Sequence, residues 1–149
     1  MRAVVQRVTQ AQVSISGEVV SSIGKGLLIL LGVESGDVVS DATYMKDKIP
    51  NLRIFTDEQD KMNLSLLDCK GELLVVSQFT LLGDATAGRR PSFIKAARPE
   101  EATVHYEWLI QKWKEMGITV KTGVFGADMQ VSLINDGPVT LLLESHKQF

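Results

Sequence analysis

The stretch LLILLGV, residues 27–33, decides the fold, because it runs without a single polar side chain. A strand that faces water on one side alternates apolar and polar residues, whereas a strand covered on both faces is apolar throughout. Residues 73–76, LLVV, form a second run of the same kind. We therefore predict two buried strands near the centre of one sheet.

Two helices are predicted from capping residues and apolar spacing. Ser40 or Asp41 is expected to cap the shorter helix, which runs through Lys48 and meets Pro50 near its end. The longer helix is expected to begin after Pro99, where two glutamates suit the positive end of the helix dipole, and to stop at Gly117.

The remaining patterns predict strands. Residues 13–20 alternate around a Ser-Gly pair, which is typical of a hairpin. Further strands are expected at residues 52–57, 118–123, 128–134 and 139–144, while residues 62–67 fit either a helical turn or an edge segment. We predict one mixed α/β domain over residues 1–149, a three-layer β/β/α sandwich of mixed sheet with one long and one shorter helix.

Composition is that of an ordinary globular protein. The chain has 149 residues, 44% of them hydrophobic and 23% charged, with a net charge of −2. A chain of this length buries about 68–70% of its unfolded surface without disulfides or metals. No apolar run approaches the roughly 18 residues of a membrane span, and the amino terminus lacks a signal-peptide core. We expect a cytoplasmic protein with no membrane partner.

The supply of metal ligands is poor. Cys69 is the only cysteine, and His105 and His146 are the only histidines, without a partner at ligand spacing. The sequence therefore predicts no metal site. Motifs of α/β-hydrolases, P-loop enzymes and Rossmann dehydrogenases are also missing.

The segment NDGPVT, residues 135–140, interrupts an alternating strand with a Gly-Pro step. Glycine tolerates backbone angles closed to other residues, and proline fixes φ and accepts a cis bond. A plain turn between two strands is the favoured interpretation of these residues alone. The alternative is a backbone conformation that points the carbonyl oxygens of Gly137 and Pro138 at one position.

The segment SQFTL, residues 77–81, follows the second apolar run, so polar and aromatic groups collect where a buried strand ends. Thr80 is a candidate nucleophile, but no histidine or lysine lies beside it in sequence to act as a base. A structural hydroxyl is the alternative role for Thr80. The backbone N–H groups of Phe79 and Thr80 are candidates for an oxyanion hole, which needs no special side chain.

The segment GRRPSFIKAARP, residues 88–99, carries four cations and no acid. Phosphate contact depends on local cation density rather than on net charge. Arg89, Arg90 and Lys95 are therefore candidates to bind an RNA end or a small anion, and a solvated loop is the equally weighted alternative.

Taken together, these motifs resemble the D-aminoacyl-tRNA deacylase family over nearly the whole chain. The matching segments follow in the family's order: QRV at 6–8, GLL at 26–28, RIF at 53–55, KMNL at 61–64, SQFTL at 77–81, RPSF at 90–93 and NDGPVT at 135–140. The resemblance implies hydrolysis of the ester of D-aminoacyl-tRNA, and of glycyl-tRNA, without cofactor or metal. It also implies a homodimer whose active sites lie at the subunit interface.

The resemblance also assigns roles to residues. Ser77, Gln78, Phe79 and Thr80 would form the catalytic pocket, in which the family's chemistry is ascribed either to the threonine hydroxyl or to the ribose hydroxyl of the substrate. The substrate-binding residues would be Ala102 and Met129 in the pocket wall, Gly137 and Pro138 as a cis step from the partner subunit, and Arg7, which would brace the Gly-Pro carbonyls.

Two other function classes fit parts of the sequence. A hydrolase of small D-amino-acid esters or amides would share a chiral pocket but would need no basic loop. A non-catalytic RNA- or DNA-binding module would need the basic loop but would not distinguish D- from L-charged tRNA.

Overall fold

The computed structural model describes residues 1–149. The elements in chain order are β1 (Arg2–Ile15), β2 (Glu18–Ile23), β3 (Gly26–Gly32), α1 (Val39–Asn51), β4 (Phe55–Thr56), β5 (Met62–Leu64), α2 (Leu66–Cys69), β6 (Glu72–Ser77), a 3₁₀ turn (Phe79–Leu82), α3 (Pro99–Glu115), β7 (Val120–Thr122) and β8 (Gln130–Glu144). The predicted mixed α/β class is confirmed, with α3 as the long helix and α1 as the shorter one. No helix has the length and hydropathy that a membrane crossing requires.

The two apolar runs form the central strands, β3 and β6, as predicted. The sheet order is β2-β1-β3-β6-β7, and β8 pairs with β1. β3 and β6 are parallel, with Leu27 opposite Leu73 and Leu31 opposite Ser77. Every residue of β3 except Leu30 is buried, because layers cover both faces of the strand.

Alternate residues of β3 point into two separate apolar clusters, which produces the predicted β/β/α layering. Leu27, Ile29 and Leu31 pack with α1 and α3 in the larger cluster, which contains the fully buried Trp113. Leu28 packs in a smaller cluster between the β3–β6 face and the layer formed by β1, β2 and β8. The sheet curls until β2 meets β7, where the Ser21 hydroxyl donates to the Thr122 carbonyl at 2.7 Å.

The shorter helix begins earlier and ends later than the sequence predicts. Val38 is the residue before its first turn, and Asp41 stands inside that turn, where its carboxylate accepts from Val38 N–H at 2.8 Å. Pro50 lies within the last turn and lacks the N–H that would bond to the Lys46 carbonyl. Trp113 Nε1–H donates to that carbonyl instead, at 3.2 Å, so packing against α3 compensates for the proline.

Other local predictions are confirmed, some of them with different bounds. The β1–β2 hairpin turns at Ser16 and Gly17, whose φ values of +51° and +81° suit a type I′ turn. Pro99 opens α3, and Gly117 follows its end with φ of +84°. Residues 52–57 contribute only the two-residue β4, and residues 62–67 divide between β5 and α2.

The interpretation of residues 135–140, taken alone, as a plain turn is wrong. The strands predicted at 128–134 and 139–144 are one strand, β8, which continues past the Gly-Pro step. Asn135 pairs with Val8 and Thr140 pairs with Gln6, so the four residues 136–139 lie opposite the single residue Arg7. This is a large bulge, and a bulge re-aims the residues that it contains. The bulge therefore displays Gly137 and Pro138, both exposed, at the side of the sheet.

Candidate active site

A cavity of about 650 Å³ lies where β6 ends. Its wall is built from the 3₁₀ turn, the segment before α3, the first turns of α3 and the loop before β8. Six of the residues proposed from the sequence line it together: Ser77, Gln78, Phe79, Thr80, Ala102 and Met129. Most of the other lining side chains are apolar, and none is a histidine, a cysteine or a carboxylate. The cavity itself therefore offers none of the side chains that usually bind metals or act as a general base.

The end of β6 supplies backbone donors to the cavity. Gln78 N–H still continues the sheet by donating to the Leu31 carbonyl at 2.8 Å. The first hydrogen bond of the 3₁₀ turn then runs from Leu81 N–H to the Gln78 carbonyl at 3.3 Å. The N–H groups of Phe79 and Thr80 precede that bond, so they have no acceptor within the turn. Two adjacent backbone donors at a cavity wall are the arrangement that an oxyanion hole requires.

The Thr80 hydroxyl has no base beside it. Its side-chain partner is the Gln78 amide, whose Nε2 donates to Thr80 Oγ1 at 3.0 Å. An amide cannot take a proton at neutral pH, so this contact orients the hydroxyl without activating it.

Aromatic side chains define the floor and the rim of the cavity. Tyr106 lies at the floor, where its hydroxyl donates to the Val75 carbonyl at 2.7 Å and burial raises the pKa of the phenol. At the rim, Phe79 and Phe93 pack edge to face with ring centroids 5.2 Å apart. Tyr106 is not among the site residues predicted from the sequence. Its spacing of four residues from Ala102 on α3, which puts both on one helix face, was the signal that it lines the same site.

The Gly-Pro bulge does not line the cavity of its own chain. The Gly137–Pro138 bond is cis, and Gly137 has φ of +143°. A Cβ on residue 137 would lie 2.7 Å from Val139 Cγ2 and 3.1 Å from Arg7 Nη2. Asn135 holds the far side of the bulge, with its Oδ1 accepting from Val139 N–H at 2.7 Å. The bulge is thus fixed in shape and needs glycine at this position.

Arg7 supports the bulge through a different contact from the one expected. Its Nε donates to the Asp136 carbonyl at 2.8 Å, and its Nη1 donates to the Ile54 carbonyl at 2.7 Å. Arg7 therefore holds the residue before Gly137 rather than the Gly137 and Pro138 carbonyls. Hydrogen bonds to a charged group are worth about 1.5–3 kcal/mol each, and Arg7 is buried, with 8% of the residue exposed. Arg7 donates no hydrogen bond to the carbonyl oxygens of Gly137 and Pro138.

Arg89, Arg90 and Lys95 do not line the cavity, although Phe93 and Arg98 of the same segment do. Asp84 and Ser92 exchange two backbone hydrogen bonds of 2.8 Å, so residues 85–91 form an exposed hairpin tip that carries Arg89 and Arg90. The hydroxyl and N–H of Thr86 hold the pKa of Asp84 below its usual value, and Lys95 Nζ lies 3.8 Å from that carboxylate. Arg89 and Arg90 form no ion pair within the chain.

Comparison with known proteins places these features in a family. The family model described as D-Tyr-tRNA(Tyr) deacylase matches residues 4–144. The chain is 60% identical over 149 residues to the D-aminoacyl-tRNA deacylase of Clostridioides difficile (strain 630), and each chain is covered completely. It is 56% identical, again over the full length of both chains, to the D-aminoacyl-tRNA deacylase of Thermoanaerobacter pseudethanolicus.

Two solved structures share the fold. One is described as c-Myc DNA Unwinding Element Binding Protein and matches with a TM-score of 0.91 and 42% identity, covering 97% of this chain and 98% of that chain. The other is described as a probable eukaryotic D-amino acid tRNA deacylase and matches with a TM-score of 0.82, covering 96% and 98%. Its identity of 17% supports the fold alone.

Proposed function

The chain belongs to the D-Tyr-tRNA(Tyr) deacylase family, and on that premise we propose that the cavity at the end of β6 hydrolyses D-aminoacyl-tRNA. Water cleaves the ester between the amino acid and the terminal ribose, which releases a free D-amino acid and restores the ribose hydroxyl of the tRNA. The observation that carries this assignment is the pair of backbone donors at Phe79 and Thr80, which belong to residues that line a largely apolar cavity.

The backbone donors stabilise the tetrahedral intermediate. As water adds to the ester carbonyl, negative charge develops on the carbonyl oxygen, and the N–H groups of Phe79 and Thr80 bind it. Removing one such donor from an enzyme typically costs about 10²–10³ in kcat, which makes this the largest single contribution that the site offers. Because no histidine or carboxylate lines the cavity to act as a general base, the vicinal ribose hydroxyl of the substrate assists the attacking water.

Chiral selection comes from a second copy of the chain. In a homodimer, the bulge of one subunit places the Gly137 and Pro138 carbonyls in the cavity of its partner, beside the α-carbon of the substrate. A D-residue directs its side chain away from these oxygens, whereas an L-residue directs it into them, so rejection is steric. Glycyl-tRNA has no side chain to reject and is also hydrolysed. This selection makes the protein a proofreading enzyme of translation, and we propose that it acts in the cytoplasm, where translation takes place.

The dimer is supported by the surface of β8. The bulge is exposed and lies outside the cavity of its own chain. Ile134 on one side of it is 51% exposed and Leu142 on the other is 59% exposed. Apolar groups on both sides of a rigid, outward-facing bulge suit a self-complementary contact between two copies.

The function is tested by hydrolysis of D-tyrosyl-, L-tyrosyl- and glycyl-tRNA with a chelator present. We expect rapid release from the D and glycyl substrates, with the L substrate spared. Release from none of the three by a protein that still binds tRNA would support the nucleic-acid-binding module instead.

Thr80→Ala is expected to keep deacylation within about tenfold of the unchanged protein, because the substitution leaves the backbone donors in place and removes a hydroxyl that has no base. The measurement is the single-turnover rate on D-tyrosyl-tRNA. Thr86→Ala, which also removes an exposed hydroxyl, is the matched control. Complete loss of hydrolysis in folded Thr80→Ala protein would show that the hydroxyl attacks the ester.

The double substitution of Arg89 and Arg90 by Gln is expected to raise KM for D-aminoacyl-tRNA and leave kcat unchanged, because these side chains hold phosphates away from the reacting ester. The slope of log KM against log salt should fall by about one for each arginine removed. Lys114→Gln, at the far end of α3, is the control. An unchanged KM for charged tRNA in the double variant would favour the hydrolase of small D-amino-acid esters.

A further inference from the structure

A second polar cluster lies apart from the cavity, where the two ends of the chain meet the loop between β3 and α1. His146 stands at its centre. Its Nδ1 lies 3.3 Å from Glu34 Oε2 and 3.6 Å from Glu144 Oε1, and its Nε2 lies 3.2 Å from Asp41 Oδ1 and 3.6 Å from Asp37 Oδ1. Charge-assisted hydrogen bonds between nitrogen and oxygen are about 2.7–2.9 Å long. The imidazole is therefore surrounded by four carboxylates without forming a short bond to any of them.

The cluster carries more negative than positive charge. The amino group of Met1 binds Asp37 Oδ2 at 2.8 Å and donates to the Ser145 hydroxyl at 2.9 Å. Burial acts to raise the pKa of Asp41, but the Val38 N–H and the Ser145 hydroxyl outweigh it and hold the pKa below its usual value. Even with His146 protonated, two positive groups face four carboxylates.

Two carboxylate oxygens in the cluster are buried without a hydrogen-bond partner. The Asp37 side chain is fully buried, and its Oδ1 faces the imidazole unpaired. The Glu144 side chain is 1% exposed, and its Oε2 is also unpaired. An unpaired buried carboxylate oxygen is costly, and buried charges are normally paired or bound to a metal. These unpaired oxygens indicate that the cluster is suited to binding a cation.

We propose that Glu34, Asp37 and His146 bind a divalent transition-metal ion such as Zn²⁺. One ligand atom from each residue lies within 4.8 Å of the other two. Bonds of about 2.0–2.2 Å to one ion need ligand atoms roughly 3–4 Å apart. The imidazole must therefore turn when the ion binds, because Glu34 now faces its Nδ1 and Asp37 faces its Nε2. The His146 side chain is 43% exposed, so an ion reaches the site from solvent. The imidazole favours Zn²⁺ over Mg²⁺ and Ca²⁺, whose preferred ligands are oxygen atoms alone.

The site links three distant parts of the chain. Glu34 and Asp37 precede α1, His146 follows β8, and the amino group of Met1, before β1, holds Asp37. The ion thus stabilises the fold, and none of its three ligands lines the cavity. Sequence reasoning missed the cluster because it looked for ligands at close spacing, whereas the fold brings these residues together from opposite ends of the chain.

The test is calorimetric titration of the chelator-stripped chain of residues 1–149, without a tag, with ZnCl₂, CaCl₂ and MgCl₂ in parallel. We expect one Zn²⁺ per chain and at least roughly tenfold weaker binding in His146→Ala and in Glu34→Gln. Glu115→Gln, an exposed carboxylate elsewhere, and Cys69→Ser should bind Zn²⁺ as the unchanged protein does. Zn²⁺ should also raise Tm in the unchanged protein and not in His146→Ala.

Several results would overturn the proposal. They are an absence of saturable Zn²⁺ binding, binding that survives in His146→Ala but is lost in Cys69→Ser, and binding of Ca²⁺ as tight as that of Zn²⁺. The deacylation rate is not a readout here, because the cavity lies apart from this cluster.

Discussion

Gly137→Ala is expected to lower hydrolysis of D-tyrosyl-tRNA by about a hundredfold and to bring the D and L rates close together. The new Cβ would lie 2.7 Å from Val139 Cγ2 and 3.0 Å from Val139 N, in a backbone conformation with φ of +143° that side chains rarely adopt. The bulge must shift to relieve these contacts, and a displacement of about 1 Å at a site costs on the order of 10²-fold in rate. Shifted carbonyls neither seat the D-substrate nor exclude the L-substrate.

Gly17→Ala is the matched control for this prediction. Gly17 also has positive φ, +81°, but a Cβ there has no atom within 4 Å. The control therefore isolates the cost of an alanine at positive φ, which is of order 1–3 kcal/mol in stability. The measurement is the kinetic constants of both variants for D and L substrates, at a temperature where both variants are folded. Unchanged D/L selectivity in Gly137→Ala would show that the bulge does not distinguish D- from L-substrates.

Ala102→Phe is expected to reduce kcat/KM for D-aminoacyl-tRNA by at least about a hundredfold. Ala102 lines the cavity from the first turns of α3, so a benzyl group there occupies space that the aminoacyl group needs. Moving the ester away from the Phe79 and Thr80 donors removes stabilisation of the transition state.

Val104→Phe tests whether this loss is specific. Val104 is on the same helix and is 65% exposed, so its substitution adds the same ring to the outer surface. We expect this variant to hydrolyse D-aminoacyl-tRNA at the unchanged rate. Equal activity in Ala102→Phe and Val104→Phe would place the aminoacyl group elsewhere.

Local patterns predicted the core of this fold well, because the decisive signals are contained in a few consecutive residues. The apolar run at 27–33 requires cover on both faces wherever it lies, and β3 has that cover. The Ser16–Gly17 hairpin and the start of α3 at Pro99 are likewise local choices. The same holds for residues 77–80 of the cavity, since a polar cluster directly after a buried strand lies at the end of that strand.

The errors arose where distant residues decide the structure. The segment NDGPVT fits a chain reversal as well as a bulge, and only the pairing of Asn135 with Val8 and of Thr140 with Gln6 makes it a bulge. The partners of Arg7 are carbonyls of residues 54 and 136, far from it in sequence. Pro50 is tolerated in α1 because an indole from α3 donates to the free carbonyl. None of these contacts can be predicted from the spacing of neighbouring residues in the sequence.

The central claim, that each active site combines the cavity of one subunit with the Gly-Pro bulge of the other, is tested most directly by mixing two inactive variants. Ala102→Phe has a blocked cavity and an intact bulge, whereas Gly137→Ala has an intact cavity and a displaced bulge. In a mixed dimer, one of the two shared sites combines an intact cavity with an intact bulge. Half of the dimers in an equal, re-equilibrated mixture are mixed, so roughly a quarter of the unchanged protein's activity on D-tyrosyl-tRNA should return, with L-tyrosyl-tRNA still spared. Activity no greater than the average of the two variants, in a mixture shown to contain mixed dimers, would contradict the shared site.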